Sequence, residues 1–170
     1  GYDHMEYLGE SLSMIAGEKA GIIKPGVPVV YWKEKEDVVA IIEEKAKSLS
    51  SPCIPVSKDD VDLKFFGDKY IDFSYNSRYY GYVRFKVNTK AVYQTENAAI
   101  AIAAAEQLWG MAVHPFLQKG ISSMRWEGRM EEVLPNVFFD GAHNEDGIEA
   151  FLNSVRYDSC NGKRSLLFSV

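Results

Sequence analysis

No stretch of this 170-residue chain approaches the roughly 20 consecutive apolar residues that a membrane-spanning helix needs. The opening residues, GYDHMEYLGE, lack the charged-then-apolar pattern of a secretory signal. A cytoplasmic protein without a membrane partner is therefore expected. Cysteine is scarce: Cys53 and Cys160 have no metal-ligand spacing and are too few for a disulfide framework, so both are read as reduced thiols. Positive charge is also short, with 19 Lys and Arg against 24 Asp and Glu and a formal net charge of -5. The basic residues are scattered, which argues against the clustered cationic face that nucleic acid requires. Finally, G-x-x-x-x-G-K-[ST] occurs nowhere, so these residues do not supply the glycine-rich loop that cradles nucleotide phosphates.

What is present is an ordinary globular composition, 46% hydrophobic and 25% charged, enough for the core of one domain or a domain and a half. Leu12, Ile15 and Ala16 mark a helix to about Ala20, with Ser11 as its N-cap and Gly21 where helices commonly end in a left-handed residue. Val27 to Tyr31 reads as a short buried strand. Asp37 is expected to cap a second helix through Val38, Val39, Ile42, Ala46 and Leu49, and CIPV is the next strand. This succession predicts a parallel pair in an α/β sheet.

From Val61 to Val92 the chain is rich in aromatic and β-branched residues punctuated by Gly and Asn, the pattern of an antiparallel meander. Its tyrosines alternate, which fits sheet-face packing better than a base-stacking platform. TENAAIAIAAAEQLWG is strongly helical and closes at Gly110. A short helix is expected from His114 to Met124, after which RWEGR reads as a junction. EVLPNVFFDGAHN gives two short strands turning at Pro135 and Asn136, followed by a helix from about Gly147 to Val155 and a strand, SLLFSV. The predicted architecture is α/β in two units, 1–125 and 126–170, the second being the opening of a further α/β domain. Both ends look cut: GYDH has no preceding element and the last strand stops unfinished, so a piece of a longer protein is expected.

GEKAGIIKPG, Gly17 to Gly26, breaks its own pattern. After Ile15 and Ala16, the next position on the apolar stripe is Lys19, a charge where the 3.6-residue period wants an apolar side chain. On spacing alone this is a lysine that snorkels from the stripe's rim or pairs with Glu18. A functional amine is the other reading.

Three segments decide between them. DHMEYLGESLSMIAGEKAGIIKPGVPVV, YQTENAAIAIAAAEQL and GRMEEVLPNVFFDGAHNEDGIEAF occur in this order, and all resemble the folylpolyglutamate synthase branch of the Mur ligase superfamily. The resemblance implies a partial Mur ligase central domain, with parallel strands, helices and an antiparallel meander, followed by the start of a Rossmann-like C-terminal domain. It implies an enzyme, monomeric, that uses ATP to phosphorylate the terminal carboxylate of a folate. The amine of L-glutamate then displaces phosphate to form an amide. Such chemistry needs Mg²⁺ to bridge nucleotide oxygens and acyl acceptor, and two domains that close to exclude water.

The same resemblance implies roles for individual residues. Lys19 would be carbamylated by CO₂, becoming an anionic oxygen donor beside Mg²⁺; partial burial would favour the neutral amine that this reaction requires. His4 would lie near the magnesium, with the chain folding back at Gly9 to bring it to Lys19, and Asp3 would orient His4 or merely start a turn. Asn97 would hydrogen-bond adenine, or serve only as a helix-start residue. Arg129 would reach the nucleotide phosphates with its planar fork. Glu127 stands where the family usually has proline, which bears on the stiffness of the junction. Asp140 would hold the ATP ribose, while His143 and Asn144 would face the phosphate or the incoming glutamate. Without the resemblance, DGAHN reads equally as a turn, and His114 has no assigned counterpart.

Competing functions remain open at this point. Dihydrofolate synthesis can accompany glutamate addition in bacterial members of the family. Another Mur-type amide ligase, acting on cell-wall precursors, would share the general layout. A hydrolase with a carbamylated lysine bridging two metals would need several more histidines than the three present. A silent nucleotide-binding domain is the remaining alternative. Because no phosphate-cradling loop is present, this chain alone is expected to show no turnover.

Overall fold

The computed structural model describes residues 12–67, 69–158 and 162–168. Asp3, His4, Gly9, the Ser11 cap and Cys160 lie outside the described residues. The chain begins with α1 (Leu12–Ala20), β1 (Val29–Trp32), α2 (Glu36–Ser48) and β2 (Cys53–Val56). β1 and β2 pair in parallel, Val29 opposite Cys53 and Trp32 opposite Val56, with α2 as the crossover that parallel neighbours require. The predicted strand, helix, strand unit is therefore present. Ala20 and Ile23 from α1 and its exit meet Ala46 of α2 in a small core, flanked by Val29, Ile42 and Leu49.

Two cap assignments change. α2 begins one residue before Asp37, at Glu36, with Lys35 as its N-cap and no side-chain cap; Asp37 lies in the first turn, where its charge suits the positive helix end. Gly21 does end α1, its N–H donating to the Glu18 carbonyl at 3.0 Å, but the left-handed residue is Gly26, with φ 70°. What requires glycine at 21 is space, since a Cβ would stand 2.9 Å from that same carbonyl oxygen.

A short 3₁₀ turn (Lys58–Asp60) leads into β3 (Val61–Phe66), β4 (Ile71–Ser77) and β5 (Gly81–Val87), an antiparallel sheet of order β3-β4-β5. The expected meander is thus realised. Ile71, Phe73 and Tyr75 alternate inward from β4 and meet Phe85 and Val87 of β5. Across them lies α3 (Tyr93–Trp109), whose Ala98, Ala99, Ile102 and Ala103 pack on the meander and on Val56 of the parallel pair. Small alanine side chains let the helix approach both sheets closely. Gly110 ends it with φ 59°, as its position predicts. Glu106 is 2% exposed; it is held by the Ser77 hydroxyl and, at 3.4 Å, by the Arg78 N–H, which pins the β4–β5 turn to the helix.

A 3₁₀ turn (Gly110–Val113) joins α3 to α4 (His114–Ser123), which buries Leu117 and Ile121. The junction then enters the hairpin β6 (Glu131–Leu134) and β7 (Val137–Phe139), turning at Pro135 and Asn136, and the chain continues into α5 (Glu145–Tyr157). α5 is fastened to the start of α3: Ser154, 1% exposed, accepts the Val92 N–H at 2.9 Å, and Lys90 pairs with Asp158 at 2.9 Å. Tyr157 stacks on Phe66 of β3 with centroids 4.4 Å apart. Over the described part of SLLFSV the expected strand is not formed: residues 163–168 have no regular structure, and Leu167 is 98% exposed. It pairs with no described strand, and a lone strand leaves its backbone groups unpaired. No helix of the described residues is long and apolar enough to cross a membrane.

Candidate functional site

β7 ends at Phe139, so Asp140 emerges at the carboxyl end of a strand, where loops of α/β folds commonly meet ligands. Its carboxylate is the hub of the region. Oδ2 accepts the Tyr93 hydroxyl at 3.0 Å and the Met130 N–H at 2.9 Å, while Oδ1 accepts the Ala142 N–H at 2.8 Å. The turn back from the junction is built on unusual backbone: Gly128 has φ 66° and Met130 has φ 48°, a left-handed conformation that a methionine rarely adopts. Three bonds hold it there. Gly128 N–H donates to Glu131 Oε2 at 2.7 Å, Gly141 N–H donates to the Gly128 carbonyl at 2.9 Å, and Met130 N–H donates to Asp140.

Arg129, between the two left-handed residues, is exposed and lies against Gly141: a Cβ at 141 would stand 3.2 Å from Nη1. A side chain at 141 would crowd the guanidinium and require it to shift by a few tenths of an ångström. Beyond it, the His143 ring is 2.8 Å from the Gly141 carbonyl through Nδ1, and the residue is exposed. Asn144 is the N-cap of α5, its Oδ1 accepting the Gly147 N–H at 2.8 Å. That bond takes one of the oxygen's two acceptor sites and fixes the side chain's orientation at the helix start. Glu145 and Asp146 follow in the first turn, so this helix end carries its own negative charge.

Tyr93 opens α3 and carries the hydroxyl that reaches Asp140. Burial pushes its pKa up, the neighbouring Asp140 charge and hydrogen bond add to this, and Arg129 opposes it, so the phenol stays a proton donor throughout the physiological range. Asn97, four residues on and hence one helical turn along the same face, is exposed and donates to Gln94 Oε1 at 2.9 Å. Beside this helix start a cleft of about 640 Å³ opens between the carboxyl ends of β1 and β2 and the face of α5. Trp32, Glu34, Lys58, Glu96 and Glu149 line it. The buried Trp32 indole N–H has no hydrogen-bond partner among the described residues. Burial raises the Glu96 carboxyl above its ordinary range; Lys58 counteracts this and Glu34 reinforces it.

The structure thus gathers Arg129, Asp140, His143 and Asn144 around one loop, with Tyr93 joining it to the helix that carries Asn97. Lys19 belongs elsewhere, on α1, and the burial expected of it is not found. Ile15, Ala16 and Ala20 carry the buried face of that helix while Lys19 is exposed, its long stem taking the ammonium out of the stripe to water. His4 falls outside the described residues, and among the described residues no group of three or more His, Cys, Asp and Glu side chains is placed to hold a metal ion. Sequence reasoning missed Tyr93; its four-residue spacing from Asn97 was the available signal. It also missed the capping duty of Asn144.

Known proteins can now be set beside this geometry. The chain is 32% identical to the dihydrofolate synthase/folylpolyglutamate synthase of Bacillus subtilis, over 99% of its own length and 41% of that protein's. It is 29% identical to the folylpolyglutamate synthase of Lacticaseibacillus casei, over 91% of this chain and 38% of the relative. Among solved structures, an FPGS-AMPPCP-folate complex superposes on 92% of this chain and 40% of its own with a TM-score of 0.81 at 29% identity. The folylpolyglutamate synthase of Thermotoga maritima gives 0.68 over 86% of this chain and 36% of its own, at 25% identity. No family model matches. The chain spans about two fifths of the length of the curated relatives it matches.

Proposed function

We propose, on the premise that this chain belongs to the folylpolyglutamate synthase family, that the complete protein is an ATP-dependent ligase that adds L-glutamate to a folate. ATP phosphorylates the terminal carboxylate, and the glutamate amine then displaces phosphate. One observation carries the reading: kinship runs along nearly the whole chain in sequence and in fold, including the FDGAHN segment, whose Asp140 carboxylate accepts three hydrogen bonds. Folates carrying different numbers of glutamates, and dihydrofolate synthesis as a second activity, fall within the same chemistry. The names of the Bacillus relative include both activities.

Within this reading each residue has a task. Asp140 binds a ribose hydroxyl: a carboxylate offers about four lone-pair sites, three are occupied, and the fourth, on Oδ1, accepts one more donor. Arg129 presents a fork of donors to phosphate oxygens from beside Gly141. Asn97 reads the adenine edge from α3. His143, fixed through Nδ1, turns its other ring nitrogen toward phosphate or the glutamate carboxylate. The working division is a central unit of 1–125 and a C-terminal unit beginning at 126, with the ligands between them. The protein is taken to be a cytoplasmic monomer.

Mg²⁺ is the ion this chemistry calls for, supplying charge neutralisation to the migrating phosphoryl group. The described residues do not fit it by themselves, since they form no cluster of ligands and Lys19 is exposed. A carbamate on Lys19 would need its remaining partners from outside this segment, and no step is assigned to it.

Incubating the complete protein with ATP, tetrahydrofolate and L-glutamate tests the proposal. One ADP, one phosphate and one folate heavier by a glutamyl residue are expected per turnover. ATP hydrolysis that is indifferent to folate and glutamate, or release of AMP, would overturn it.

A further inference from the structure

We propose that Tyr93 is a positioning residue for nucleotide binding: by donating to Asp140 Oδ2 it fixes the ribose-binding carboxylate relative to the helix that meets the base. The inference rests on the reading of Asp140 as the ribose ligand, and it deepens that reading with a residue to which nothing else assigns a role.

The bonds around Asp140 are of two kinds. Met130 N–H at 2.9 Å and Ala142 N–H at 2.8 Å come from the same short segment as Asp140 itself, the junction and the loop after β7. They orient the carboxylate within its own hairpin and say nothing about where that hairpin stands. The Tyr93 hydroxyl, at 3.0 Å, spans 47 positions of chain and comes from the first turn of α3. That helix is immobilised by Ala98, Ala99 and Ile102, each 0% exposed. It also carries Asn97 one turn beyond Tyr93. The Ser154–Val92 and Lys90–Asp158 bonds and Lys90 over the Phe138 ring also hold this part of the chain near the start of α3, but the Tyr93 bond alone among these acts on the Asp140 carboxylate itself, tying the group expected to hold ribose to the helix expected to hold adenine. It also chooses which lone pair remains. With Tyr93 and Met130 both on Oδ2, that oxygen is filled, and the uncommitted acceptor lies on Oδ1. Without the phenol, the carboxylate has an open site on each oxygen, and its orientation is no longer tied to α3.

The test uses the complete protein as wild type, Tyr93→Phe, Asp140→Asn and the double variant, with kcat and KM measured for ATP, 2′-deoxy-ATP and 3′-deoxy-ATP. Tyr93→Phe removes one oxygen from a side chain that is otherwise retained, and thermal melting checks that each variant folds. Its KM for ATP should rise about 5–10-fold with kcat changed less than about twofold, the size of one ordinary hydrogen bond, because the carboxylate's orientation is loosened while its own contact with the ligand is kept. Its preference for ATP over the deoxynucleotide that the wild type rejects should shrink by the same factor. The double variant should be no worse than Asp140→Asn in ATP KM and ribose preference, because Asp140→Asn already removes the Oδ1 acceptor that Tyr93 positions, whether or not the phenol still bonds the amide oxygen. If Asp140→Asn loses the ribose preference while Tyr93→Phe keeps wild-type KM and preference, the Tyr93 assignment is overturned and the Asp140 reading survives. A lower melting temperature in Tyr93→Phe with an unchanged preference would likewise mean a structural role only. If Asp140→Asn keeps the preference, the ribose reading itself falls, and this inference with it.

Discussion

Replacing Asp140 with Asn should destabilise this chain even with no nucleotide present, because the carboxylate is first a structural acceptor. Three donors converge on it, at 3.0, 2.9 and 2.8 Å. An amide has one oxygen. If that oxygen takes the place of Oδ2, the Tyr93 and Met130 donors keep a partner and the Ala142 N–H faces an NH₂ group. If it takes the place of Oδ1, two donors are stranded, so the first arrangement wins. Leaving one backbone N–H without an acceptor costs about 1–2 kcal/mol, and making the two remaining bonds neutral costs about 0.5–1 kcal/mol each. The sum is about 2–4 kcal/mol, toward the lower end because Asp140 is only half-buried. In a chain of this length such a loss lowers Tm by roughly 5–12 °C. Urea unfolding and thermal melting of the 170-residue chain read it directly, with Glu44→Gln, an exposed carboxylate on α2, as the control. An Asp140→Asn variant as stable as that control would refute the claim that this carboxylate holds the junction and loop together.

Other perturbations probe other parts of the account. Burial raises the Glu96 carboxyl above its ordinary value of 4.5, so the folded state binds more protons there than the unfolded state, and stability falls as pH rises through the interval between the two values. Glu96→Gln should therefore raise Tm at pH 7, with the gain disappearing below about pH 4; an equal gain at both pH values would contradict the assigned cause. Ile102→Ala, at a position of 0% exposure where α3 meets both sheets, should cost about 2–5 kcal/mol in urea unfolding, and a loss under about 1 kcal/mol would remove it from the core. Gly128→Ala meets two obstacles, a φ of 66° and a Cβ placed 3.3 Å from the Phe139 ring. It should destabilise by about 1–2 kcal/mol, and an unchanged Tm would show that the junction adopts another conformation.

Elements with a strong local period were legible before any coordinates. The β1-α2-β2 unit, the meander and α3 each follow from apolar spacing plus a turn residue, and each forms where that pattern places it. Pattern fails where the deciding term is tertiary. SLLFSV has every propensity of a strand, and its described part pairs with no strand among the described residues. Lys19 sits at the centre of a helical stripe by its spacing, yet a four-carbon stem lets its charge reach water without moving the backbone. At the loop, the residue types were readable from the resemblance but their bonding was not. The link from Tyr93 to Asp140 spans 47 positions and leaves no local trace, and Asn144 looks the same in sequence whether it caps a helix or binds a ligand.

The proposed activity of the complete protein is chemical at its centre: a carboxylate of the acceptor would be activated by phosphoryl transfer before the amide forms. Folate labelled with ¹⁸O in its terminal carboxylate, turned over by the complete protein with ATP and L-glutamate, tests this most directly. One labelled oxygen should leave in inorganic phosphate for every amide made. Phosphate without label, or label retained wholly in the folate product, would contradict the account.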